Sequence, residues 1–385
     1  MNIIILGGCG VMGSEIVNQL ISLSDIEITI GDKDERNLQK TLERFGKRIS
    51  TEIIDVNNEQ QLISSLKNYD IVVSTIGPFY KYGKKIVEAS IRSGVNCIDI
   101  NDDYDAIQES LSLHKQAEKN GVTVITGLGA SPGITNILAK NGSEKLDNTS
   151  EINIFWSESS VDPTGSAALE HWLHIISGEV PMFLNEKWVD VKGLSDPEIT
   201  TFINPVGELK VYYTGHPEPV TLPKYIKDVK KVTIKGGLFP PKVMKIWKAF
   251  RNAGLSSEKT FIYKDLKIPL RELTVKLIRA MPYFAPEYFN ELYKEAMDRY
   301  EGVAGALKVE VIGERNGNRM KITYDVLTDS VKFGTALPAA LGTIMMIEGK
   351  INKNGVYAPE GAIDTKSFLT KIEPKIKIKE KEIKM

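Results

Sequence analysis

The chain has 385 residues, 42% apolar and 26% charged, with 49 basic against 50 acidic side chains and a formal net charge of −1. That length exceeds what one hydrophobic core usually supports, so two domains are expected. A charge this close to neutral argues against nucleic acid or an anionic membrane as partner and leaves a small molecule.

Two cysteines, Cys9 and Cys97, form no CxxC or Cys/His cluster, which argues against a disulfide framework or structural zinc and suits a reducing compartment. The start, Met1-Asn2-Ile3-Ile4-Ile5-Leu6, enters a glycine turn with neither a basic leader nor a long apolar run. No stretch reaches the apolar length of a membrane span. The expectation is a cytoplasmic protein without nucleic-acid or membrane partners.

In chain order, Ile3–Leu6 is a continuous apolar run, as in a strand buried on both faces. A helix follows from about Met12, with Ile16, Val17, Leu20 and Ile21 on one face. Ile26, Ile28 and Ile30 mark a second strand ending at Gly31-Asp32, and Glu35–Phe45 reads as a polar surface helix. Glu52–Asp55 closes a third strand and Asp70–Ser74 is a fourth, running into Thr75-Ile76-Gly77-Pro78. Helices over Lys84–Ser93 and Tyr104–Asn120 alternate with strands over Asn96–Ile100 and Val122–Thr126. Six strands alternating with helices predict an α/β fold, a doubly wound parallel Rossmann sheet over residues 1–126.

After Gly127 the rhythm changes. Strand patterns at Ile152–Trp156, Leu209–Tyr213, Lys231–Ile234, Leu307–Ile312 and Met320–Val326 predict a second, α+β domain over 127–333 with a mixed sheet. Helical patterns at Val243–Ala253 and Arg271–Ala280 lie between them. A small-residue helix over Ala336–Ile347 is expected to return to the first domain within a segment of about 334–373. The tail from 374 is either a strand or frayed. Apolar strands in the second domain suggest a homodimer whose sheet continues across a two-fold axis.

The sharpest local signal is Gly8-Cys9-Gly10-Val11-Met12-Gly13, which follows a strand and opens a helix, with an acid about 20 residues on. Gly8 is expected to make the tight turn and Gly10 to let the backbone approach a pyrophosphate. Gly13 brings helix and strand together, while Val11 and Met12 place helix N–H groups at the phosphates. Asp32, at the end of the second strand, would accept from both ribose hydroxyls and repel a 2′-phosphate, which favours NAD. Lys33 and Arg36 just beyond leave NADP open as a pairing for that phosphate, and a plain turn or cap is the alternative for Asp32. Asp55 and Val56 either border the adenine or form a turn. Thr75, Ile76, Gly77 and Pro78 lie at the carboxyl edge where open α/β sheets bind ligands.

Asp99 and Asp102, after the fifth strand, point to that same edge. Carboxylates there would hold a cationic amine, and one would take its proton; helix capping by Asp102 or Asp103 is the alternative. Gly127–Asn136 reads as a rigid bend joining the domains. His114 reads as inert. His171 and His174 lack a third metal ligand, so packing is favoured and no metal is expected. His216, in Gly215-His216-Pro217-Glu218-Pro219, is the histidine chosen for substrate contact.

Taken together, the opening GGxGxxG, Gly77-Pro78-Phe79 with Tyr82-Gly83, Cys97-Ile98-Asp99 and Gly129-x-x-Pro132-Gly133-x-x-Asn136 resemble the saccharopine dehydrogenase-like oxidoreductases. The resemblance covers nearly all of the first domain, and in the second only the general layout apart from Thr335–Ile347. It implies a nicotinamide cofactor across the glycine turn, a substrate between the domains, and hydride transfer at a carbon bearing nitrogen, through an imine. By the same resemblance Asp99 and the following turn lie near the substrate's amino end. Family members with a Glu near the end of that turn differ from this chain, which has Asp102-Asp103-Tyr104. Arg251, Arg271 and Arg279 are candidates for holding a substrate carboxylate. The competing readings are an enoyl-type reductase on a lipid-like substrate, with Gly237–Pro241 lining its cleft, and a redox sensor that holds NAD(P) without turnover.

Overall fold

Ile3, Ile4, Ile5 and Leu6 are all fully buried, because strand β1 (Asn2–Leu6) runs through the interior of a parallel sheet and both its faces need apolar cover. The computed structural model describes residues 1–303 and 305–385. It divides into two compact units, 1–141 with 332–375, and 142–331 with 376–385.

The first unit is a seven-stranded parallel sheet. After β1 come β2 (Glu27–Asp32), β3 (Ile49–Ile53), β4 (Ile71–Ser74), β5 (Asn96–Asp99) and β6 (Thr123–Ile125). The order across the sheet is Gly355–Tyr357, β6, β5, β4, β1, β2, β3. Helices α1 (Val11–Leu23) and α2 (Glu35–Phe45) make the first two crossovers. The order reverses around β1, which pairs with β2 on one side and β4 on the other. A ligand crevice opens at such a switch point.

Several boundaries differ from the sequence expectation. The seventh strand, Gly355–Tyr357, is too short to show a period. It is fixed instead by the Gly355 N–H donating to the Val122 carbonyl (2.8 Å) and the Thr126 N–H to the Tyr357 carbonyl (2.9 Å). β3 starts and ends earlier than the apolar pattern suggests, because the Asp55 carboxylate accepts from the Asn57 N–H (2.9 Å) and turns the chain out of the sheet. The helix expected from Lys84 begins at Phe79, and the one expected over Tyr104–Asn120 breaks at Leu113.

The segment Gly127–Asn136 packs with the first unit, and the chain divides after Asn141. Its backbone is stitched to the end of β5 by Leu128 N–H to the Asp99 carbonyl (2.8 Å) and folded on itself by Ile134 N–H to the Gly129 carbonyl (3.0 Å). The returning helix Val331–Ile347 completes this packing: a Cβ on Gly342 would overlap Leu128.

The second unit holds a nine-stranded mixed sheet. Its main path runs Glu198–Thr201, Glu208–Tyr213, Lys231–Phe239, Asn148–Ser159, Gly305–Arg315, Asn318–Thr328, Lys377–Lys384, with Glu179–Leu184 and Lys187–Lys192 branching from Lys231–Phe239. The tail is therefore a paired strand. Phe155, Phe239 and Tyr300 belong to one core cluster, with the Phe239 and Tyr300 rings 4.6 Å apart. A hairpin, Thr260–Tyr263 with Leu266–Pro269, pairs only with itself. Among the described residues no helix is long and apolar enough to cross a membrane.

Gly133 gives a direct test of this packing. It sits at φ +125°, and a Cβ there would overlap the Gly129 carbonyl oxygen. Gly133→Ala is expected to cost at least about 3 kcal/mol in guanidinium unfolding. Gly121→Ala, at φ +68° with open space around it, should cost only about 1 kcal/mol. Equal losses would contradict the packing.

Candidate functional site

The ends of β1, β2 and β4 meet at the glycine turn. Gly7 has φ +79°, a conformation favouring glycine, and its carbonyl accepts from the Gly10 N–H (2.9 Å). The left-handed φ thus falls at Gly7, and Gly8 is a central residue of the turn that this hydrogen bond closes. Gly8 is needed for a different reason: its Cβ would come within 2.7 Å of Ile30 Cγ2. At Gly13 a Cβ would overlap the Gly7 carbonyl and lie 2.7 Å from Gly8 Cα and 2.8 Å from Thr75 Oγ1, so only glycine lets α1 approach.

Gly10 is exposed, and a Cβ there would meet only the Gly7 carbonyl, at 3.2 Å. The chain's own packing is thus less strict at Gly10 than at Gly8 or Gly13, which leaves its outer side accessible to a ligand. Gly10 is also the N-cap of α1, whose first turn, with Val11 and Met12 half-buried, has neither a capping side chain nor an acid. Such an end offers N–H groups and the positive end of the helix dipole to an anion. The turn fits the pyrophosphate of a dinucleotide.

Asp32, half-buried, is the last residue of β2, and its Oδ1 accepts from the Asp34 N–H (3.1 Å). The cap of α2 is Asp34, which accepts from the Arg36 N–H (3.0 Å). Lys33 is exposed, and the Arg36 side chain is 90% exposed with Nε 3.7 Å from Asp34. Cys9 lies beside Asp32 and Thr41. Burial pushes its thiol up to about 11, against a Thr41 hydrogen bond and with help from the Asp32 charge, so it stays protonated at neutral pH. Val56 is packed in the core cluster. Thr75 clamps β4 to β1, donating from both N–H (3.0 Å) and Oγ1 (2.9 Å) to the Leu6 carbonyl. The Ile76 side chain closes on Gly7, and Gly77 leads to Pro78, the N-cap of helix Phe79–Ser93.

Beyond β5 the loop is a chain of carboxylates and amides. Asp99 is buried, and its Oδ1 accepts from Gly127 N–H (2.8 Å), Asn101 N–H (3.0 Å) and Thr126 Oγ1 (3.0 Å). Its Oδ2 has no hydrogen-bond partner among the described residues. Burial raises the Asp99 carboxyl to about 6, against the lowering by those hydrogen bonds. Asn101 Oδ1 in turn accepts from the Asp103 N–H (3.0 Å), and Asp103 Oδ2 from the Tyr80 N–H (2.9 Å). Asp103 occupies the cap position of helix Tyr104–Ser112 without capping it through its side chain. It ties that helix start to the first turn of helix Phe79–Ser93 instead. Asp102, half-buried, lies between these two anchored acids.

The Gly127–Asn136 bend adds a carboxylate that the sequence reading overlooked. Asn136 is fully buried, donating from Nδ2 to Glu360 Oε2 (2.9 Å) and accepting at Oδ1 from the Gly133 N–H (3.0 Å). Glu360 is itself buried. Its only sequence signal is an acid set among Tyr357-Ala358-Pro359 and Gly361-Ala362.

His216 belongs to the second unit. It is buried against Trp156 (ring centroids 5.3 Å) and His171 (5.3 Å), with Nδ1 3.9 Å from Glu218 Oε2. Glu218, fully buried, begins helix Glu218–Tyr225 and was also overlooked. His174 Nδ1 is 3.3 Å from Arg271 Nη1. His114 is a strut, with Nδ1 3.0 Å from the Val356 carbonyl. Of the three arginines, Arg271 is buried on Glu258 (2.7 Å) and the Ser256 carbonyl, and Arg251 bonds the Ile176 carbonyl (3.1 Å). Arg279, exposed, bonds Ser166.

A switch-point crevice with a bare glycine turn at a helix start defines a Rossmann-type dinucleotide-binding domain. Residues 3–125 match the family model described as the saccharopine dehydrogenase NADP binding domain. That domain is similar to the corresponding domain of the saccharopine dehydrogenase-like oxidoreductases. It is 25% identical over 156 residues to a lipid droplet localized protein of Caenorhabditis elegans, covering 36% of each. It is 28% identical over 148 residues to the mitochondrial alpha-aminoadipic semialdehyde synthase of Bos taurus, covering 38% of this chain and 15% of that one. A human saccharopine dehydrogenase-like oxidoreductase is 30% identical over 104 residues, 26% of this chain and 24% of the relative. The chain thus spans about a third or less of the length of these curated relatives. The apo saccharopine dehydrogenase (L-Glu forming) of Saccharomyces cerevisiae shares the fold, with a TM-score of 0.69 at 16% identity over 99% of both chains.

The raised Asp99 carboxyl makes stability depend on pH. Its folded pKa lies above the unfolded value, so its contribution is complete below about pH 4 and is lost as pH rises through about 6. Asp99→Asn keeps an acceptor for the three donors and is expected to flatten the melting temperature between pH 4 and 7. Asp99→Ala strands two buried N–H groups and should cost about 2–4 kcal/mol at any pH. A wild-type pH profile matched by Asp99→Asn would contradict the buried-acid assignment.

Proposed function

We propose that the protein is an NAD-preferring oxidoreductase that transfers hydride at a C–N bond of an amino-acid or polyamine-type substrate, through an imine. The observation that carries the cofactor half is the glycine turn, open at Gly10 and packed solid at Gly8 and Gly13. Gly10 and the N–H groups of Val11 and Met12 would hold the pyrophosphate, Asp32 the adenosine ribose, and Thr75 to Pro78 the floor beneath the nicotinamide half. NADP use would instead draw on Lys33 and Arg36 for the 2′-phosphate.

The substrate half rests on the acidic loop after β5. The bound nicotinamide supplies the hydride acceptor. The substrate carbon bearing nitrogen loses a hydride, its nitrogen loses a proton, and water hydrolyses the resulting imine. In this reading Asp102 receives the cationic amine and its proton, while Asp99 holds the Gly127 turn in shape and acts as a positioning residue. His216, buried with Glu218 and Trp156 in the second unit, is assigned to substrate contact. The names of the bovine semialdehyde synthase and of the yeast saccharopine dehydrogenase support an amino-acid substrate.

The assay is nicotinamide reduction against lysine, saccharopine and polyamines with each coenzyme. Turnover with one amine, faster with NAD, is expected; cofactor binding without turnover on any amine would overturn the substrate class. Asp32→Ser should shift the coenzyme preference toward NADP by at least about tenfold, and a wild type that already prefers NADP would contradict the Asp32 role. Gly10→Ala should leave unfolding stability within about 1 kcal/mol of wild type while weakening cofactor binding at least about tenfold. Unchanged affinity would remove Gly10 from the site.

A further inference from the structure

We propose that the hairpin Thr260–Tyr263/Leu266–Pro269 and the helix Leu270–Phe284 form a surface that docks a second copy of this chain. In the hairpin, Phe261 faces Ile268 and Tyr263 faces Leu266 across the strands, so one of its faces is wholly apolar. Phe261 is 47% exposed and Leu266 64%. A two-stranded hairpin joined to no larger sheet is marginal in water, and covering such a face is what stabilises it.

The adjoining helix points the same way. Its inner side buries Thr274 and Val275, and Leu273, Leu277 and Phe284 are exposed, Leu277 at 46% and Phe284 at 62%. A helix apolar on more than its core-facing stripe is one that a partner covers. On the next helix, Pro286–Tyr300, Tyr293 and Met297 lie one turn apart and are exposed as well. With the full area of a large apolar side chain taken as ~150–200 Å², these exposed groups offer roughly 600–800 Å². That is the share each partner of a standard interface buries.

Charge decides what covers it. Residues 257–300 carry eight basic and seven acidic side chains in mixed order. A two-fold interface needs such self-complementarity, whereas a face that seats on an anionic bilayer is dominated by lysine and arginine. Continuation of the large sheet is the weaker route to a dimer. Its edge strand Lys377–Lys384 carries six charged residues, four lysines and two glutamates, among its eight, the kind of edge that resists pairing.

The test is the mass of the intact chain by sedimentation and light scattering over a wide dilution series. Wild type is expected to run as a dimer that dissociates on dilution. Leu277→Glu, and separately Leu266→Asp, should raise the dissociation constant by about 100-fold with unchanged near-ultraviolet circular dichroism. Should either variant misfold, amide exchange in unmodified protein reads the same surface: residues 260–284 should exchange more slowly at high concentration than at low. A wild-type mass of one chain throughout would overturn the proposal, as would a dimer untouched by both substitutions. So would monomeric wild type floating with phosphatidylglycerol vesicles through Leu277, which would assign the surface to lipid.

Discussion

Everything at the carboxyl edge of the first unit depends on how closely three backbone segments meet at the end of β1. The Leu6 carbonyl takes two hydrogen bonds from Thr75, and α1 rests on Gly7 and Gly8 with no room for a side chain at Gly13. That packing fixes the start of α1, and the start of α1 is what presents unsatisfied N–H groups at the switch point. Gly10 is less constrained: a Cβ there would meet only the Gly7 carbonyl, at 3.2 Å. The division of labour among the glycines is therefore physical: Gly8 and Gly13 are bare because the protein fills the space, while Gly10 lies exposed at the helix start.

The same edge carries a second network built on buried acids. Asp99, Asn101 and Asp103 pass hydrogen bonds from the Gly127 turn to the start of the helix at Phe79, and Glu360 performs a like service for the bend through Asn136. Buried carboxylates are expensive unless donors surround them, and here the donors are mainly backbone N–H groups of the loops that shape the crevice. Asp99 is thus tied into the architecture of these loops.

The first unit was largely legible in the sequence because its signals are local. A buried parallel strand is an apolar run, and a nucleotide turn is a glycine pattern between strand and helix. What escaped was non-local. The seventh strand, Gly355–Tyr357, exists only because β6 pairs with it. The left-handed residue is Gly7, the first residue of the turn closed by the hydrogen bond from the Gly10 N–H. Asp99's burial and the Asn136–Glu360 pair join residues far apart in sequence. In the second unit, Glu218 and the Trp156–His216–His171 ring cluster emerge only once the sheet brings their elements together.

Amide hydrogen exchange of the intact protein with and without NAD tests the central claim, that the glycine turn is a working dinucleotide site. Slowed exchange is expected over residues 7–14, 31–34 and 74–77, and none on the surface far from that edge. Tight NAD binding that leaves 7–14 unprotected, or no binding at all, would contradict it.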